Sequence, residues 1–243
     1  MSAPAERDIV IPLGPGTEHH PELRFTLRSL AANMPHRTVW IVGATPPRWV
    51  TGVEHLAVSQ FRSKYENSTA NVLTALKHRD VSDDVVLAND DMYVMAPQPD
   101  GMPVYHRGRL TQVEAYYRSL GAYAYGVGLT QTRQILEAWG YDRRELVSYD
   151  IHVPMPMPKD QAREVILRGR KERFIKALHK RTLIGTACEL GGTRLRDPKV
   201  VKRSSFDESV AFLSSMRPYQ VENGQLGALL RARFPEPCRY ERG

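Results

Sequence analysis

The sequence predicts an α/β fold, a mostly parallel sheet flanked by helices. Three observations point there. Residues 8–42 run strand, helix, strand within about 35 residues, a βαβ unit that requires a parallel strand pair. A further apolar run rich in β-branched residues, Val85-Val86-Leu87-Ala88, breaks abruptly into Asn89-Asp90-Asp91. Such a strand places its terminal acids at the carboxyl edge of a sheet, where open α/β folds bind ligands. Finally, 243 residues with 42% apolar and 25% charged composition can bury a full core.

The elements follow in order. Asp-Ile-Val-Ile-Pro-Leu (8–13) reads as a short buried strand, and Gly14-Pro15-Gly16-Thr17 as a flexible turn that lacks both the Walker A and the dinucleotide glycine spacing. Glycine there still lets a backbone approach a ligand closely. Leu23, Leu27 and Leu30 recur at helical spacing over 22–33, between Pro21 and Pro35. Arg24 and Arg28, four apart, share one face of that helix. Thr-Val-Trp-Ile-Val (38–42) is a second strand, and 55–58 a short third. Val72, Leu73 and Leu76 predict a helix over 65–78, with Lys64 and Asn67 near its N-terminus, where backbone N–H groups favour anions.

After Met95 the pattern loosens. Residues 104–106 suit a strand returning to the sheet, 109–120 a helix, 121–128 a glycine-rich stretch with aromatic surface, and 130–139 another helix. Alternate prolines at 154, 156 and 158 forbid a helix or a central strand, so 148–158 should lie extended across the surface or over a cleft. A basic helical region is expected over 160–180, interrupted at Gly169, and short helices over 206–213 and 225–234. The domain reading is a ligand-binding unit over 1–158 and a helical, basic portion over 159–243 packed on it.

Charge is uneven. The net charge is +7, and residues 159–203 hold 14 Lys and Arg against 5 Asp and Glu. Such a block suits a polyanion: nucleic acid, a nucleotide diphosphate or an acidic surface; the plain alternative is a solvated helical face. No apolar run approaches the roughly 20 residues of a membrane span, residues 1–8 show no secretory signal, and Cys188 and Cys238 make neither a disulfide framework nor a metal spacing. A cytoplasmic protein is expected.

Adjacent carboxylates repel unless a cation lies between them or one takes a proton. Hard cations such as Mg²⁺ and Mn²⁺ bind carboxylate oxygen and often substrate phosphates too. Asp90 and Asp91 therefore suggest a metal–diphosphate site, against the plain reading of a polar turn.

Several segments together resemble the central block of Stealth-type capsular polysaccharide phosphotransferases: Glu22-Leu23-Arg24-Phe25-Thr26-Leu27-Arg28-Ser29-Leu30, Val39-Trp40-Ile41-Val42-Gly43, Pro46-Pro47-Arg48-Trp49-Val50 and Asn89-Asp90-Asp91. Lys64-Tyr65-Glu66-Asn67 and Tyr149-Asp150-Ile151-His152-Val153-Pro154 resemble shorter, phage-associated glycosyltransferase-like proteins. The likeness covers residues 8 to about 160, and more loosely Arg181-Thr182-Leu183-Ile184-Gly185 to Asp197-Pro198-Lys199. It implies a GT-A-like (Rossmann-like) nucleotide-sugar fold with an acidic metal motif, and host cytoplasm as the location if the gene is phage-borne. The family's Asp-x-Val-Tyr-Thr-Trp-Val-Asp-Gly opening is replaced here by Asp8-Ile9-Val10-Ile11-Pro12-Leu13-Gly14, which favours glycosyl over sugar-1-phosphate transfer.

The resulting expectation is a metal-dependent glycosyltransferase using a nucleotide-diphosphate sugar. Asp90 and Asp91, with Asn89 beside them, would hold Mn²⁺ or Mg²⁺; His152 is a third ligand or a general base. Asp150 and Asp197 are further catalytic candidates. Pro12, Leu13 and Gly14 would line base and ribose; Arg24, Arg28, Lys64 and Asn67 would face the donor. The acceptor could be a glycan, a protein or modified DNA. The rivals are sugar-1-phosphate transfer and a non-catalytic nucleic-acid-binding domain built on 159–203.

Overall fold

The computed structural model describes residues 7–172, 179–201 and 206–242. The start of the chain and parts of the basic block, including Arg173, Lys176, Lys202 and Arg203, lie outside the described residues.

The first half follows the expected order: β1 (Asp8–Leu13), α1 (Pro21–Asn33), β2 (Val39–Gly43), β3 (Glu54–Ala57), α2 (Lys64–Lys77) and β4 (Asp84–Leu87). Then come β5 (Met92–Val94), β6 (Tyr105–His106), α3 (Leu110–Ser119), α4 (Tyr123–Ala138), β7 (Met155–Pro158), α5 (Lys159–Gly169) and α6 (Lys180–Ala187). The chain closes with β8 (Thr193–Arg194), β9 (Lys199–Val200), β10 (Phe212–Ser215), α7 (Pro218–Glu222) and α8 (Gln225–Arg233).

The main sheet has the order β3-β2-β1-β4-β7, parallel except for β7. From β1 the chain first adds strands on one side and then crosses to β4 on the other. The strand order therefore switches between β1 and β4, and a crevice opens beyond their carboxyl ends. Helix α1 covers one face through Leu23, Leu27 and Leu30, packed on Ile9, Ile11, Ile41 and Val86. Helices α2 and α5 cover the other through Val72, Leu76, Ala162 and Ile166, packed on Val10, Val42 and Leu87. At the crevice edge a Cβ on Gly43, whose φ is +130°, would strike the Leu13 carbonyl, so glycine is required where β2 passes β1.

Asp8 fastens the opposite edge. Its fully buried carboxylate accepts from Arg37 at 2.8 and 2.6 Å, from the Trp40 indole at 2.9 Å and from the Ser82 N–H at 2.8 Å. Burial alone would raise its pKa, but these donors hold it below the ordinary value. A depressed carboxylate contributes stability above its unfolded pKa of about 3.9 and loses it as pH falls through the folded value. Urea midpoints should therefore drop below about pH 4, and less steeply in Asp8→Asn; parallel slopes would contradict this role.

Three elements differ from expectation, and a fourth, the proline segment, is extended as expected but largely buried in the main sheet. Residues 104–106 do not rejoin the main sheet; β6 pairs with β8 in a sheet of two strands. The glycine-rich 121–128 stretch is not a loop: α4 starts at Tyr123 and runs through Gly126 and Gly128, carried by Leu129, Ile135 and Leu136 buried against α3. Tertiary packing there overrides the poor helix propensity of glycine. Residues 206–213 are not helical; β10 pairs with β5 and β9 in a third sheet. A run as short as Phe212-Leu213-Ser214-Ser215 has no period that separates strand from helix. The proline segment ends in β7, an edge strand. Lys159 N–H bonds inward to Asp83 O, so the alternating Pro156 and Pro158 positions face outward and remove no ladder bond. The portion after residue 159 thus carries α5–α8 and also β8–β10. Among the described residues no helix is long and apolar enough to cross a membrane.

Candidate active site

Asn89, Asp90 and Asp91 form the turn between β4 in the main sheet and β5 in the second. Two bonds fix its backbone: the Thr26 hydroxyl donates to Asp90 O at 2.8 Å, and Ser215 N–H to Asp91 O at 3.3 Å. The turn therefore sits at the carboxyl end of β4, its three side chains half-buried.

Asp90 has 31% of its side chain exposed. Desolvation, then the charges of Asp91 and Glu22, push its pKa up to about 7. Glu22 is raised as well, by burial first and then against Asp91, although it accepts a bond from the Ser215 hydroxyl at 2.8 Å. That hydroxyl also meets the fully buried Tyr93 hydroxyl at 2.9 Å. Three carboxylates thus face one space. Asp91 Oδ1 is buried with no hydrogen-bond partner among the described residues, and Asp91 Oδ2 lies 3.7 Å from Lys199 Nζ. His20, the left-handed residue before α1, presents Nε2 at 3.4 Å from Asp90 Oδ2; burial lowers its pKa.

His152 reaches the same space. Its Nδ1 faces Asp197 at 2.9 and 3.1 Å, and its N–H bonds the same carboxylate at 3.2 Å. Nδ1–H therefore donates to Asp197, which leaves Nε2 as a lone-pair acceptor. Nε2 lies 3.0 Å from Lys199 Nζ. Lys199 is thus a cation between His152 and Asp91. Arg107 steadies Asp197 from behind, at 3.3 Å. Burial raises the Asp197 pKa, but His152 and Arg107 together hold it below the ordinary value.

Arg181 places the His152 segment. It is buried in α6 and donates to Ile151 O and Val153 O at 3.1 and 2.6 Å, and to Leu87 O, the last residue of β4, at 2.8 Å. One guanidinium therefore ties residues 151–153 to the strand that ends in the acidic turn. Asp150 points into α6 instead. It pairs with His179 at 2.7 Å and accepts from Thr182 at 3.1 Å. Burial would raise its pKa; His179, Arg181 and Thr182 outweigh that and hold it at about 2. Asp150 is thereby a fixed counter-charge beneath the site, not a group brought to Asp91.

Of the expected donor contacts, Lys64 comes near: it is exposed, and its charge is felt at Asp90. Pro12, Leu13 and Gly14 reach the crevice edge, but the Leu13 side chain is core, and its carbonyl accepts from Ala44 N–H at 2.9 Å and from Asn71 at 3.3 Å. Gly14 borders open space. Asn67 is engaged within its own loop: its amide closes the loop before α2, bonding Arg62 O at 2.8 Å and Arg62 N–H at 3.1 Å. Arg24 lies over Trp49 at 4.5 Å, 3.5 Å from Glu241. Arg28 clasps Glu241 at 2.6 and 2.9 Å and donates to Phe234 O and Pro235 O, so it anchors the C-terminus to α1. Breaking such a largely buried pair from one side should destabilise Arg28→Ala by roughly 3–5 kcal/mol while nucleotide affinity per folded molecule is unchanged. Wild-type stability with weakened nucleotide binding would reverse that assignment.

Lys199, Glu22, Ser215 and Arg181 were not legible as site residues. The family likeness spans Glu22, Arg181 and Lys199 without giving any of them a role. Among the described residues no three His, Cys, Asp or Glu side chains form a ready metal cage.

No protein-family model matches the sequence, and no curated protein matches it. The structure is similar to the apo form of the glycosyltransferase GlyE of Streptococcus pneumoniae: TM-score 0.46 at 11% identity, over 96% of this chain and 61% of that one. This chain thus spans about three fifths of GlyE's length. It is also similar to the galactosyltransferase LgtC in complex with donor and acceptor sugar analogues: TM-score 0.49 at 12% identity, over 94% of each chain.

Proposed function

We propose that the protein transfers a sugar from a nucleoside-diphosphate donor to an acceptor hydroxyl, with Mn²⁺ or Mg²⁺ held at Asp90 and Asp91. The observation that carries this reading is the buried, unpartnered Asp91 Oδ1 beside Asp90, at the switch point of the sheet. The residues fit such a cation. A hard divalent ion takes one or two carboxylates and completes its shell with water and substrate phosphates, so no closed protein cage is needed.

His152 Nε2 would be the further protein ligand once the Lys199 ammonium, 3.0 Å from it, is displaced. Asp197 on Nδ1 holds it in the required tautomer, the carboxylate–histidine arrangement usual behind metal ligands. When bound, the cation supplies Lewis-acid stabilisation of the departing diphosphate. The chain's own contribution is positioning and charge. Asp90 and Asp91 would hold that ion; Lys199 and Lys64 would add positive charge where the leaving group's negative charge develops. Arg181 keeps the His152 segment in register with the acidic turn.

A thermal-shift screen of nucleotide sugars with and without Mn²⁺ tests this reading. A donor that binds the folded state raises the melting temperature. The expected result is a shift for one nucleotide class that needs the metal and vanishes with chelator; no shift with any nucleotide sugar would overturn it. Donor labelled at the phosphate nearest the sugar then separates the two chemistries. Glycosyl transfer leaves the label on the nucleotide, whereas sugar-phosphate transfer carries it into product.

A further inference from the structure

A second cleft, of about 550 Å³, opens on the far side of Asp197, between α3 and the β8–β9 connection. It is lined by Arg107, Gln112, Tyr116, Arg194, Arg196 and Asp197. We infer that this cleft is the acceptor subsite and that it takes a saccharide bearing a carboxylate or phosphate group. The inference rests on the donor reading above and names the substrate class for the same site.

Position comes first. Asp197 is shared: one oxygen faces Arg107 at 3.3 Å within the cleft, and the carboxylate holds His152 Nδ1, whose Nε2 lies 3.0 Å from Lys199 beside Asp91. A molecule in the cleft is thus separated from the acidic turn by one imidazole and one ammonium. An acceptor seated there would have to extend past His152 and Lys199 to meet a donor held at Asp91.

Charge comes second. Arg107 is matched by Asp197 and by the Tyr117 hydroxyl at 2.8 Å. Arg194 and Arg196 are exposed, and neither has an acidic partner among the described residues. Two unmatched guanidiniums on one wall favour planar, bidentate anions, carboxylate or phosphate, and give no advantage to a neutral sugar.

Shape comes third. Tyr116 on α3 is 50% exposed although its neighbours Val113 and Glu114 are buried. An open aromatic ring beside Gln112 offers a face for a pyranose ring and an amide for its hydroxyls. Nucleic acid would also value the arginines. However, Lys159, Lys180 and Arg181 of the basic block turn inward, to Val81 O, Ser68 and Leu87 O. Those three cations are therefore engaged by the protein itself rather than offered to phosphates.

The test uses immobilised oligosaccharides in matched pairs: a hexuronate-bearing chain and its carboxyl-reduced parent, and a hexose 6-phosphate chain and its dephosphorylated parent, alongside a short single-stranded DNA. The whole protein is applied with and without Mn²⁺ and nucleoside diphosphate. At least one anionic member should be retained about tenfold better than its neutral parent, and Arg194→Ala and Arg196→Ala should each erase most of that preference at unchanged melting temperature. The two pairs separate carboxylate from phosphate. Equal retention of both members of each pair, retention of no saccharide, or tighter retention of DNA overturns the inference. Nucleoside diphosphate binding is measured by calorimetry on the same sample. Intact nucleotide binding without an anion preference overturns only this subsite; absent nucleotide binding overturns the donor reading.

Discussion

Asp91→Asn is expected to fold as the wild type does and to lose at least about two orders of magnitude in turnover, the scale of removing a preorganised electrostatic contact from a transition state. The Asp91 side chain is half-buried beside a turn whose backbone bonds, Ser215 N–H to Asp91 O and Thr26 Oγ to Asp90 O, do not involve it. The substitution removes one of three mutually repelling carboxylates, so stability should be unchanged or slightly higher, as at other sites where function holds strain. Nothing in the packed interior changes. Reduced activity with a matching fall in melting temperature would make Asp91 a structural residue. Full turnover in Mn²⁺ would remove the acidic turn from the mechanism.

The second large effect belongs to the His152–Asp197 pair. Asp197→Asn keeps the size of the side chain but weakens the acceptor that fixes the imidazole tautomer. Loss of such a partner behind a metal ligand costs about 10–100-fold in metal affinity. His152→Ala should cost at least as much, and excess Mn²⁺ should restore part of the rate in both variants. A general base at His152 gives the opposite pattern: unchanged metal dependence and a turnover loss that persists at saturating metal. A purely structural histidine would lower the melting temperature and keep turnover per folded molecule. Metal titration, turnover and melting temperature on these two variants therefore separate the three roles.

The scaffold of the site was legible in the sequence because its signals are local. β1, α1, β2, α2 and β4 each carry their own period or apolar run, and the Asn89-Asp90-Asp91 break marks the strand end without help from the rest of the chain. What surrounds that turn was not legible, because it depends on contacts far apart in sequence. Lys199 meets His152 across 47 positions, Ser215 meets Glu22 across 193, and Arg181 meets Leu87 across 94. A lysine or serine has no pattern that announces such a partner. The arginine pair on α1 shows the converse. Arg24 and Arg28 share a helix face as their spacing requires, yet that face meets Glu241 and Trp49 rather than the crevice. Helical spacing identifies a shared face, while the packing of the C-terminus decides what that face meets.

Manganese binding followed by electron paramagnetic resonance tests the central claim most directly. Free Mn²⁺ gives a sharp six-line spectrum that weakens on binding, so the wild type and Asp91→Asn can be titrated with nucleoside diphosphate present and absent. The expected result is Mn²⁺ uptake by the wild type, tightened by the nucleotide, and about tenfold or greater weakening in Asp91→Asn. Equal Mn²⁺ affinity in the two proteins, with nucleotide binding indifferent to the metal, would contradict a cation site at Asp90 and Asp91.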